Sequence, residues 1–280
     1  MIEFKHVSAS YEAEVPILSD VSFTVEDGDF VAFVGTNGAG KSTTMRLCNG
    51  LLKPSSGEVL IDGVPTTELK TSQIARKIGF LFQNPDRQIC CKTVREELMF
   101  GFEALGEAGP EAEARVDAVI DRFGFDPDAE PYLLNRGTRQ LLALASIVVL
   151  ETPVIILDEP TTGLDYRECV QVMDIVRDLH ARGTTVIMVC HDMEVVADFA
   201  ERVVVMTRGK MVAQGETFSI LRDQAILDEA DLVAPQIVEI SMQLASEGGR
   251  LAVSDIARAD TVAEMVAAVE GLSAKGGEAR

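Results

Sequence analysis

A glycine-rich segment that could bind phosphate begins at residue 35. Its residues, Gly35-Thr36-Asn37-Gly38-Ala39-Gly40-Lys41-Ser42, fit the pattern G-x-x-x-x-G-K-[ST]. Backbone N–H groups in such a loop surround an anion, and the glycines let the chain curve close to it without a clash at Cβ. The dipole of a following helix adds partial positive charge. An ordinary strand–turn–helix junction would explain one glycine, but not three glycines followed by Lys-Ser.

This segment therefore predicts a site for ATP. We expect Lys41 to reach the β- and γ-phosphates and Ser42 to ligate Mg²⁺. The residues of the segment predicted to contact the nucleotide are Gly35, Asn37, Gly38, Ala39, Gly40, Lys41, Ser42 and Thr43.

Two adjacent carboxylates follow an apolar run near the middle of the sequence. The run Val154-Ile155-Ile156-Leu157 predicts a buried strand, and Asp158 and Glu159 come at its end. Open α/β sheets bind ligands at the carboxyl ends of their strands. We expect Asp158 to hold Mg²⁺ through water and Glu159 to orient or deprotonate the water that attacks the γ-phosphate. Without the phosphate loop, the same pair would indicate only a solvated strand end.

Alternating apolar runs and helical patterns must position these groups. Buried strands are predicted at Phe30–Val34, Ile78–Gln83, Val154–Leu157 and Thr185–Val189, further strands at residues 2–7, 21–25 and 58–63, and a hairpin at Val203–Met206 and Lys210–Ala213. Helices are predicted from Lys41 to about Asn49 and at Thr93–Phe102, Glu111–Phe123 and Thr138–Leu150. Strands that alternate with helices indicate an α/β sheet.

The composition changes near Ile220, and the remainder of the chain is predicted to be helical. An apolar helix face is indicated by the spacing of Val262, Met265, Val266 and Val269. Thr261 and Glu264 have the spacing of a capping box at the start of that helix. Residues 273–280 are small and charged, and we expect them to fray.

Composition excludes several classes of protein. The chain has 280 residues, of which 47% are hydrophobic, enough for a sizeable core. Its formal net charge of -20 argues against binding to nucleic acid and against a polybasic grip on a membrane. No stretch approaches the roughly 20 apolar residues of a membrane helix, and the N-terminus lacks the layout of a secretion signal. We therefore expect a cytoplasmic location.

The five cysteines carry a weaker signal. Their number is odd and none forms a C-x-x-C pair, so reduced thiols are expected rather than disulfides or a zinc site. Cys90, Cys91 and Met99 are expected to pack on a helix face rather than to take part in redox or metal chemistry.

The motifs occur in an order that resembles the ATP-binding-cassette (ABC) family. Besides the phosphate loop and the acidic pair, Gln83 resembles the family's Q-loop glutamine, and the run Thr162-Gly163-Leu164-Asp165 resembles its D-loop. His191 resembles the family's switch histidine, and Tyr11 occupies the position of the aromatic residue that stacks on adenine. The resemblance spans roughly residues 2–218. A structural histidine and a half-buried strand aromatic are the simpler interpretations of His191 and Tyr11 taken alone.

The resemblance implies roles for these residues. Glu159, His191 and Gln83 would be catalytic, with Gln83 also reaching Mg²⁺ beside Ser42 and Asp158, and Asp165 would contact nucleotide. It also implies an α/β fold: a P-loop ATPase core with a mostly parallel sheet, an N-terminal antiparallel β subdomain and a helical subdomain. The implied organisation is a nucleotide-binding domain at residues 1–220, with the helical subdomain at about 84–152, and a helical extension at 221–280 that could serve dimerisation.

One motif departs from the family. Its signature loop reads Leu-Ser-Gly-Gly-Gln, whereas this chain has Leu134-Asn135-Arg136-Gly137-Thr138. In the family, the signature of one subunit clamps the γ-phosphate bound to the other, and Asn135 and Gly137 could still contact nucleotide in that way. The substitutions favour a heterodimer with a related ATPase and two unequal ATP sites. A homodimer that tolerates the variation is the alternative.

The stretch from Gln83 to Gln88, followed by Thr93-Val94-Arg95-Glu96-Glu97, resembles the ATPases of energy-coupling factor importers. That resemblance implies a transmembrane coupling subunit, a substrate-binding membrane subunit and a peripheral position on the cytoplasmic face of the membrane. The substrate stays open among vitamins and transition-metal ions. Alternatives are the ATPase of a conventional ABC solute importer, a soluble ABC ATPase that acts outside transport, and a small-molecule kinase.

Overall fold

The computed structural model describes residues 1–11, 16–246 and 255–277, with the side chains of 272–277 left aside. The strands are β1 (Ile2–Ser10), β2 (Pro16–Val25), β3 (Phe30–Val34), β4 (Ser56–Ile61), β5 (Val64–Pro65), β6 (Ile78–Leu81), β7 (Val154–Asp158), β8 (Thr185–Val189), β9 (Arg202–Thr207) and β10 (Lys210–Glu216). The helices are α1 (Lys41–Cys48), α2 (Thr71–Ala75), α3 (Val94–Leu105), α4 (Pro110–Phe123), α5 (Arg136–Val148), α6 (Tyr166–Ala181), α7 (Met193–Phe199), α8 (Thr217–Leu221), α9 (Gln224–Glu229), α10 (Gln236–Ser246) and α11 (Val262–Gly277).

Two sheets organise the described residues. One is antiparallel, with the strand order β2-β1-β4-β5, and the other has the order β10-β9-β3-β8-β7-β6. In the second sheet β9, β3, β8, β7 and β6 run parallel, and only β10 pairs antiparallel, with β9. The predicted mostly parallel sheet with an N-terminal antiparallel subdomain is therefore confirmed.

The central strand β3 is buried on both faces, as expected of a parallel strand covered by helices. Phe30, Ala32 and Val34 point to a core shared with α5, α6 and α7, whereas Val31 and Phe33 point to a core shared with α1 and the antiparallel sheet. Complete burial of a side chain such as Phe33 contributes about 1.5–3 kcal/mol. The last residue of β3 is thereby held next to the phosphate loop.

Helices α3, α4 and α5 form a third apolar cluster, around buried side chains such as Leu98, Val116 and Leu142. Helix α3 begins with a capping box in which the Thr93 side chain accepts from the N–H of Glu96 while the Glu96 carboxylate accepts from the N–H of Thr93. The domain limits at 84–152 and at 220 stay predictions.

Arg222 ties the C-terminal helices to the main core. Its guanidinium donates to the Asp260 carboxylate at 2.6 Å, to the Ala259 carbonyl at 2.9 Å and to the Ser241 hydroxyl at 3.0 Å. The hydroxyl of Thr261 caps α11 by accepting from the N–H of Glu264, but the Glu264 carboxylate accepts from the N–H of Asp260 rather than of Thr261. The predicted capping box is therefore only half formed: the hydrogen bond to Thr261 is present, whereas the Glu264 carboxylate binds one residue earlier than predicted.

Four details differ from the expectations. Strand β6 ends at Leu81, so Gln83 lies beyond the strand rather than in it, and α5 begins at Arg136 rather than at Thr138. Helix α11 continues to Gly277, so fraying from residue 273 was wrong, and residues 278–280 lie outside the described part. Cys90 and Cys91 precede α3 in a loop, and only Met99 packs on a helix face as expected.

Candidate functional site

The phosphate loop joins β3 to α1 through left-handed glycines. Gly35 has φ 136° and Gly40 has φ 101°, values that a residue with a Cβ adopts only under strain. Space is limited as well, because a Cβ on Gly35 would lie 1.9 Å from the carbonyl oxygen of Met206. A Cβ on Gly40 would lie 2.5 Å from a methyl group of Leu18. Both glycines are therefore required by the path of the backbone.

Lys41, the first residue of α1, folds back over the loop that precedes it. Its Nζ donates to the carbonyl of Gly35 at 2.6 Å and to that of Thr36 at 3.0 Å, and the side chain is buried. Burial lowers the pKa of the ammonium group, while the carboxylates of Glu159 and Asp158 oppose that shift. The cation is held over the mouth of the loop by weak neutral acceptors that a phosphate oxygen can replace.

Ser42 and Asp158 lie side by side. The Ser42 hydroxyl donates to the Asp158 carboxylate at 3.1 Å, across the junction between α1 and the end of β7. Asp158 is 8% exposed, and burial raises its pKa while the hydrogen bond from Ser42 lowers it. A hydroxyl and a carboxylate are hard oxygen donors of the kind that Mg²⁺ prefers, so these two residues fit the predicted metal.

Glu159 is the residue on which the site converges. Its φ of 51° is unusual for a residue with a side chain, and it turns the carboxylate away from the path of β7. One oxygen, Oε2, accepts from the Gln83 amide at 2.7 Å and from the Thr162 hydroxyl at 3.0 Å. The Nδ1 atom of His191 lies 3.6 Å from the same oxygen. Three loops thus fix a single carboxylate.

A cleft of about 380 Å³ connects these groups. It is lined by Ile17, Asn37, Gly38, Ala39, Gly40, Lys41, Ser42, Thr43, Gln83 and Glu159. Most of the predicted phosphate-binding residues therefore line one space together with Gln83 and Glu159, whereas Gly35, Asp158 and His191 are not part of its lining. Such a space can hold a polyphosphate between a cation and a carboxylate, with room for a water molecule next to the carboxylate.

Thr162 is a site residue that the sequence analysis missed, since it entered only as a letter of the loop motif. Its backbone N–H donates to the carbonyl of Glu159 at 3.2 Å, which closes a turn and places its hydroxyl beside the Glu159 carboxylate. A hydroxyl residue three positions after a carboxylate at a strand end is the signal that could have indicated this contact.

Five predicted nucleotide contacts are not part of the cleft lining: Gly35, which begins the phosphate loop, and four residues outside that loop. Tyr11 is 52% exposed, and its hydroxyl accepts from Arg46 at 2.8 Å. Asn135 and Asp165 cap α5 and α6, with side chains that accept from the N–H groups of Thr138 and Glu168. Gly137 follows Asn135 in the first turn of α5. These contacts stay predictions, and those of Asn135, Gly137 and Asp165 would require a second subunit.

The loop at Leu134–Thr138, predicted to be an altered signature, contacts the predicted D-loop at Thr162–Asp165. The Arg136 guanidinium donates to the carbonyl of Thr162 at 3.1 Å, and a Cβ on Gly163 would lie 2.8 Å from it. A Cβ on Gly137 would lie 1.8 Å from the Glu168 carboxylate, so any larger residue at this position would require the Glu168 side chain to move. Arg136 therefore joins the signature loop to the residue whose hydroxyl holds Glu159.

Comparison with known proteins places this geometry in a family. Residues 18–162 match the family model of the ABC transporter. The chain is 38% identical over 252 residues to the energy-coupling factor transporter ATP-binding protein EcfA of Methanothermobacter thermautotrophicus, covering 89% of this chain and 81% of that protein. It is 35% identical over 282 residues to EcfA2 of Symbiobacterium thermophilum, covering 98% of this chain and 96% of that protein.

Solved structures agree with the sequence comparison. CbiO1 of Clostridium perfringens, described as part of the ABC transporter complex CbiONQ, superimposes with a TM-score of 0.71 at 30% identity, over 82% of this chain and 94% of that chain. A dimeric ATP-binding cassette in a post-hydrolysis state with ADP and phosphate superimposes with a TM-score of 0.70 at 28% identity, over 78% of this chain and 99% of that chain. Within the described ranges, no helix has the length and apolar character needed to cross a membrane.

Proposed function

This chain belongs to the ABC transporter ATPase family, and we propose that it is an ATP-hydrolysing subunit of an energy-coupling factor importer. The cassette fold and the family match establish ATP hydrolysis coupled to transport. The more specific role is supported by two relatives that are named as energy-coupling factor transporter ATP-binding proteins, from Methanothermobacter thermautotrophicus and Symbiobacterium thermophilum. This chain matches each of them over most of its length. The run from Gln83 to Gln88 supports the same assignment.

The observation that carries the proposal is the convergence of three loops on Glu159 beside the phosphate loop. Gln83, Thr162 and His191 all lie within 3.6 Å of Oε2. An isolated structural carboxylate would not need partners from three separate segments. A carboxylate that must hold one water molecule in line with a phosphorus atom does need them, since proton transfer requires contact within hydrogen-bond distance.

Nucleotide binding begins at Lys41 and the loop amides. The Lys41 ammonium leaves the carbonyls of Gly35 and Thr36 and pairs with the β- and γ-phosphates of ATP, because charge-assisted bonds to phosphate are stronger than those to neutral carbonyls. Ser42 and Asp158, with Gln83, would hold Mg²⁺. That ion, when bound, neutralises charge on the phosphates.

Glu159 acts on the attacking water. The hydrogen bonds from Gln83 and Thr162 to one oxygen leave the other free to accept a proton from that water. His191 is 58% exposed in its side chain, so its imidazole can turn toward the γ-phosphate while it remains near Glu159. Gln83 connects this centre to the segment leading into α3, through which closure of the site can be transmitted to a membrane partner.

The site is completed by a second ATPase subunit, and we favour a heterodimer. The relatives include a cassette solved as a dimer with ADP and phosphate bound. In a head-to-tail dimer, the loop at Gly35–Ser42 would take the partner's signature, while Asn135 and Gly137 of this chain would face the partner's nucleotide. Arg136 places a side chain and a charge where the family has glycine, so that second site would hydrolyse ATP more slowly.

The further partners are a transmembrane coupling subunit and a substrate-binding membrane subunit, at the cytoplasmic face of the membrane. Vitamins and transition-metal ions are the candidate substrate classes, because substrate choice would reside in another subunit. A conventional ABC solute importer is the second candidate, since the core motifs are common to both.

Co-purification tests this proposal. The chain, tagged at its own locus, would be isolated from detergent-solubilised membranes and its partners identified by mass spectrometry. We expect a second cassette ATPase and two kinds of small integral membrane protein. Recovery with a permease that depends on an extracellular binding protein, or with ribosomes, would contradict the assignment.

A further inference from the structure

A pair of adjacent thiols lies in the loop between the turn at Pro85–Arg87 and α3. The Sγ atoms of Cys90 and Cys91 are 3.9 Å apart, with Cys90 exposed and Cys91 half-buried. They are not joined as a disulfide, and the ATPase chemistry described above does not use them.

The spacing of the two sulfurs suits a shared metal ion. Two sulfurs bound to one tetrahedral zinc, each about 2.3 Å from it, lie roughly 3.8 Å apart. The distance of 3.9 Å between the two Sγ atoms agrees with this value, so the two sulfurs would not need to move apart or together to bind one ion.

The carboxylate of Glu97 provides a possible third ligand. The Sγ atoms of Cys90 and Cys91 and a carboxylate oxygen of Glu97 all lie within 4.8 Å of one another. Glu97 is 3% exposed, and in the part of the chain that the structure describes its carboxylate accepts from backbone N–H groups and forms no ion pair. A metal ion bound beside it would supply the opposite charge that this buried carboxylate otherwise lacks.

The same carboxylate fixes the loop that carries the thiols. Its Oε2 accepts from the N–H of Cys90 at 2.9 Å and from the N–H of Cys91 at 2.8 Å. The backbone of both cysteines is thus held by the residue that supplies the third ligand. This is the support that a metal site needs if its ligands are to be in place before the ion arrives.

The other cysteines show none of these features. Cys48 and Cys190 are buried, and the Cys190 thiol points to the carbonyl of Asp192. The Cys169 thiol lies 3.7 Å from the carbonyl of Thr161. Among the described residues, only the Cys90–Cys91–Glu97 group has three such ligands together.

We propose that Cys90, Cys91 and Glu97 bind a thiophilic d¹⁰ divalent cation of the zinc class. Both cysteines bind as thiolates and release their two protons to solvent, the Glu97 carboxylate is the third ligand, and a water molecule takes the exposed fourth position. The ion would join the loop that follows Gln83 to α3. Its binding is a property separate from ATP hydrolysis.

Cadmium titration tests the site, because Cd²⁺ bound to thiolate gives an ultraviolet charge-transfer absorbance that Cd²⁺ bound to carboxylates does not. The full-length chain, reduced and free of nucleotide, should take up one equivalent of Cd²⁺ with that absorbance. The double variant C90S/C91S should lose it, whereas C169S, which removes a half-buried thiol elsewhere, should keep it. Equal uptake by C90S/C91S and by the unchanged chain would overturn the proposal.

Glu97→Gln separates ligation from loop structure. Its amide oxygen can still accept from the N–H groups of Cys90 and Cys91, so the thermal unfolding temperature should change little. Removal of the negative charge should weaken Cd²⁺ binding at least tenfold. Unchanged Cd²⁺ affinity in Glu97→Gln would show that Glu97 is not a ligand. If the reduced chain took up no Cd²⁺ but formed a Cys90–Cys91 disulfide in air, the proposed metal site would be contradicted.

Discussion

At the scale of single residues, the proposed chemistry depends on how the Glu159 carboxylate is held. Oε2 of Glu159 receives hydrogen bonds from Gln83 and Thr162 and lies near His191. The backbone of Glu159 is left-handed, a conformation that costs free energy in a residue with a Cβ and that is kept only where surrounding contacts hold it. The position of this carboxylate therefore depends on its contacts with Gln83, Thr162 and His191.

Thr162 provides a test of that dependence. Thr162→Val keeps the shape of the side chain but removes the hydroxyl that donates to Glu159, so kcat for ATP should fall about tenfold with little change in KM. Thr162→Ser keeps the donor and should restore most of the activity. Steady-state phosphate release by the two variants measures this. Equal activity in Thr162→Val and Thr162→Ser would show that the contact has no positioning role.

Asp158 predicts a pH dependence of metal binding. Burial raises its pKa above the ordinary 3.8, so at a given acidic pH a larger fraction is protonated than for an exposed aspartate. A proton competes with Mg²⁺ for the carboxylate, so Mg²⁺ affinity should fall as the pH drops and should begin to fall at a higher pH than an ordinary aspartate would allow. Titration of the nucleotide-bound chain with Mg²⁺ at successive pH values measures this.

The matched control is Asp158→Asn, which lacks the titrating group. Its residual Mg²⁺ affinity should follow only the protonation of the nucleotide phosphates. A pH profile of the same shape in Asp158→Asn and in the unchanged chain would contradict the assignment of Asp158 to the metal.

Residue types and spacing were sufficient to predict most of the cleft. Lys41, Ser42, Asp158 and Glu159 belong to motifs whose chemistry follows from their order. The contact of Thr162 with Glu159 was missed although its spacing from Glu159 is a local signal, whereas the approach of Glu97 to Cys90 and Cys91 depends on a loop path that no local pattern encodes.

At the scale of elements, the junction between β3 and α1 is the most constrained part of the site. Gly35→Ala would place a Cβ against the carbonyl of Met206 on β9, in a left-handed conformation. We expect a loss of about 3 kcal/mol in the free energy of unfolding and a marked loss of ATP affinity. Thermal unfolding and calorimetric titration measure the two effects.

Gly109→Ala is the control for that substitution. Gly109 has extended backbone, and a Cβ there would meet nothing within 4 Å. Its substitution should leave stability and ATP affinity nearly unchanged. If Gly35→Ala were as stable as Gly109→Ala, the close packing of the loop against β9 would not matter.

The order and type of the core elements followed from apolar periodicity, but their ends did not. The segment Phe30–Val34 was predicted with its observed limits, because a buried parallel strand leaves a continuous apolar run. Helix α5 begins two residues earlier than predicted, since the Asn135 side chain caps it by accepting from the N–H of Thr138. Such a cap depends on side-chain direction, which periodicity does not report.

At the scale of the whole molecule, the two surfaces predicted to contact nucleotide, the cleft at Gly35–Ser42 and the signature loop, differ in how well they match the family. The cleft at Gly35–Ser42 has every group that its motif requires, whereas the signature loop carries Arg136 and a bond to its own D-loop. In a homodimer, both ATP sites would combine a complete cleft with an altered signature. In a heterodimer whose partner has an unaltered signature, one ATP site would have that signature and the other would have the altered one.

This asymmetry predicts unequal effects of two matched substitutions in the assembled transporter. Glu159→Gln in this chain disables the site that takes the partner's signature, so it should remove most of the ATPase activity. The equivalent substitution in the partner ATPase disables the slower site and should remove much less. Phosphate release by the two single variants of the purified complex measures this, and equal losses would favour the homodimer alternative.

The most direct measurement of the central claim is ATP turnover by Glu159→Gln compared with the unchanged chain, each shown to bind MgATP by calorimetry. The substitution keeps the size of the side chain and removes the proton acceptor, so we predict retained affinity and a turnover lower by a factor of about 10² to 10⁴. The control Glu229→Gln, on the exposed surface of α9, should behave as the unchanged chain. Undiminished turnover by Glu159→Gln would contradict the account.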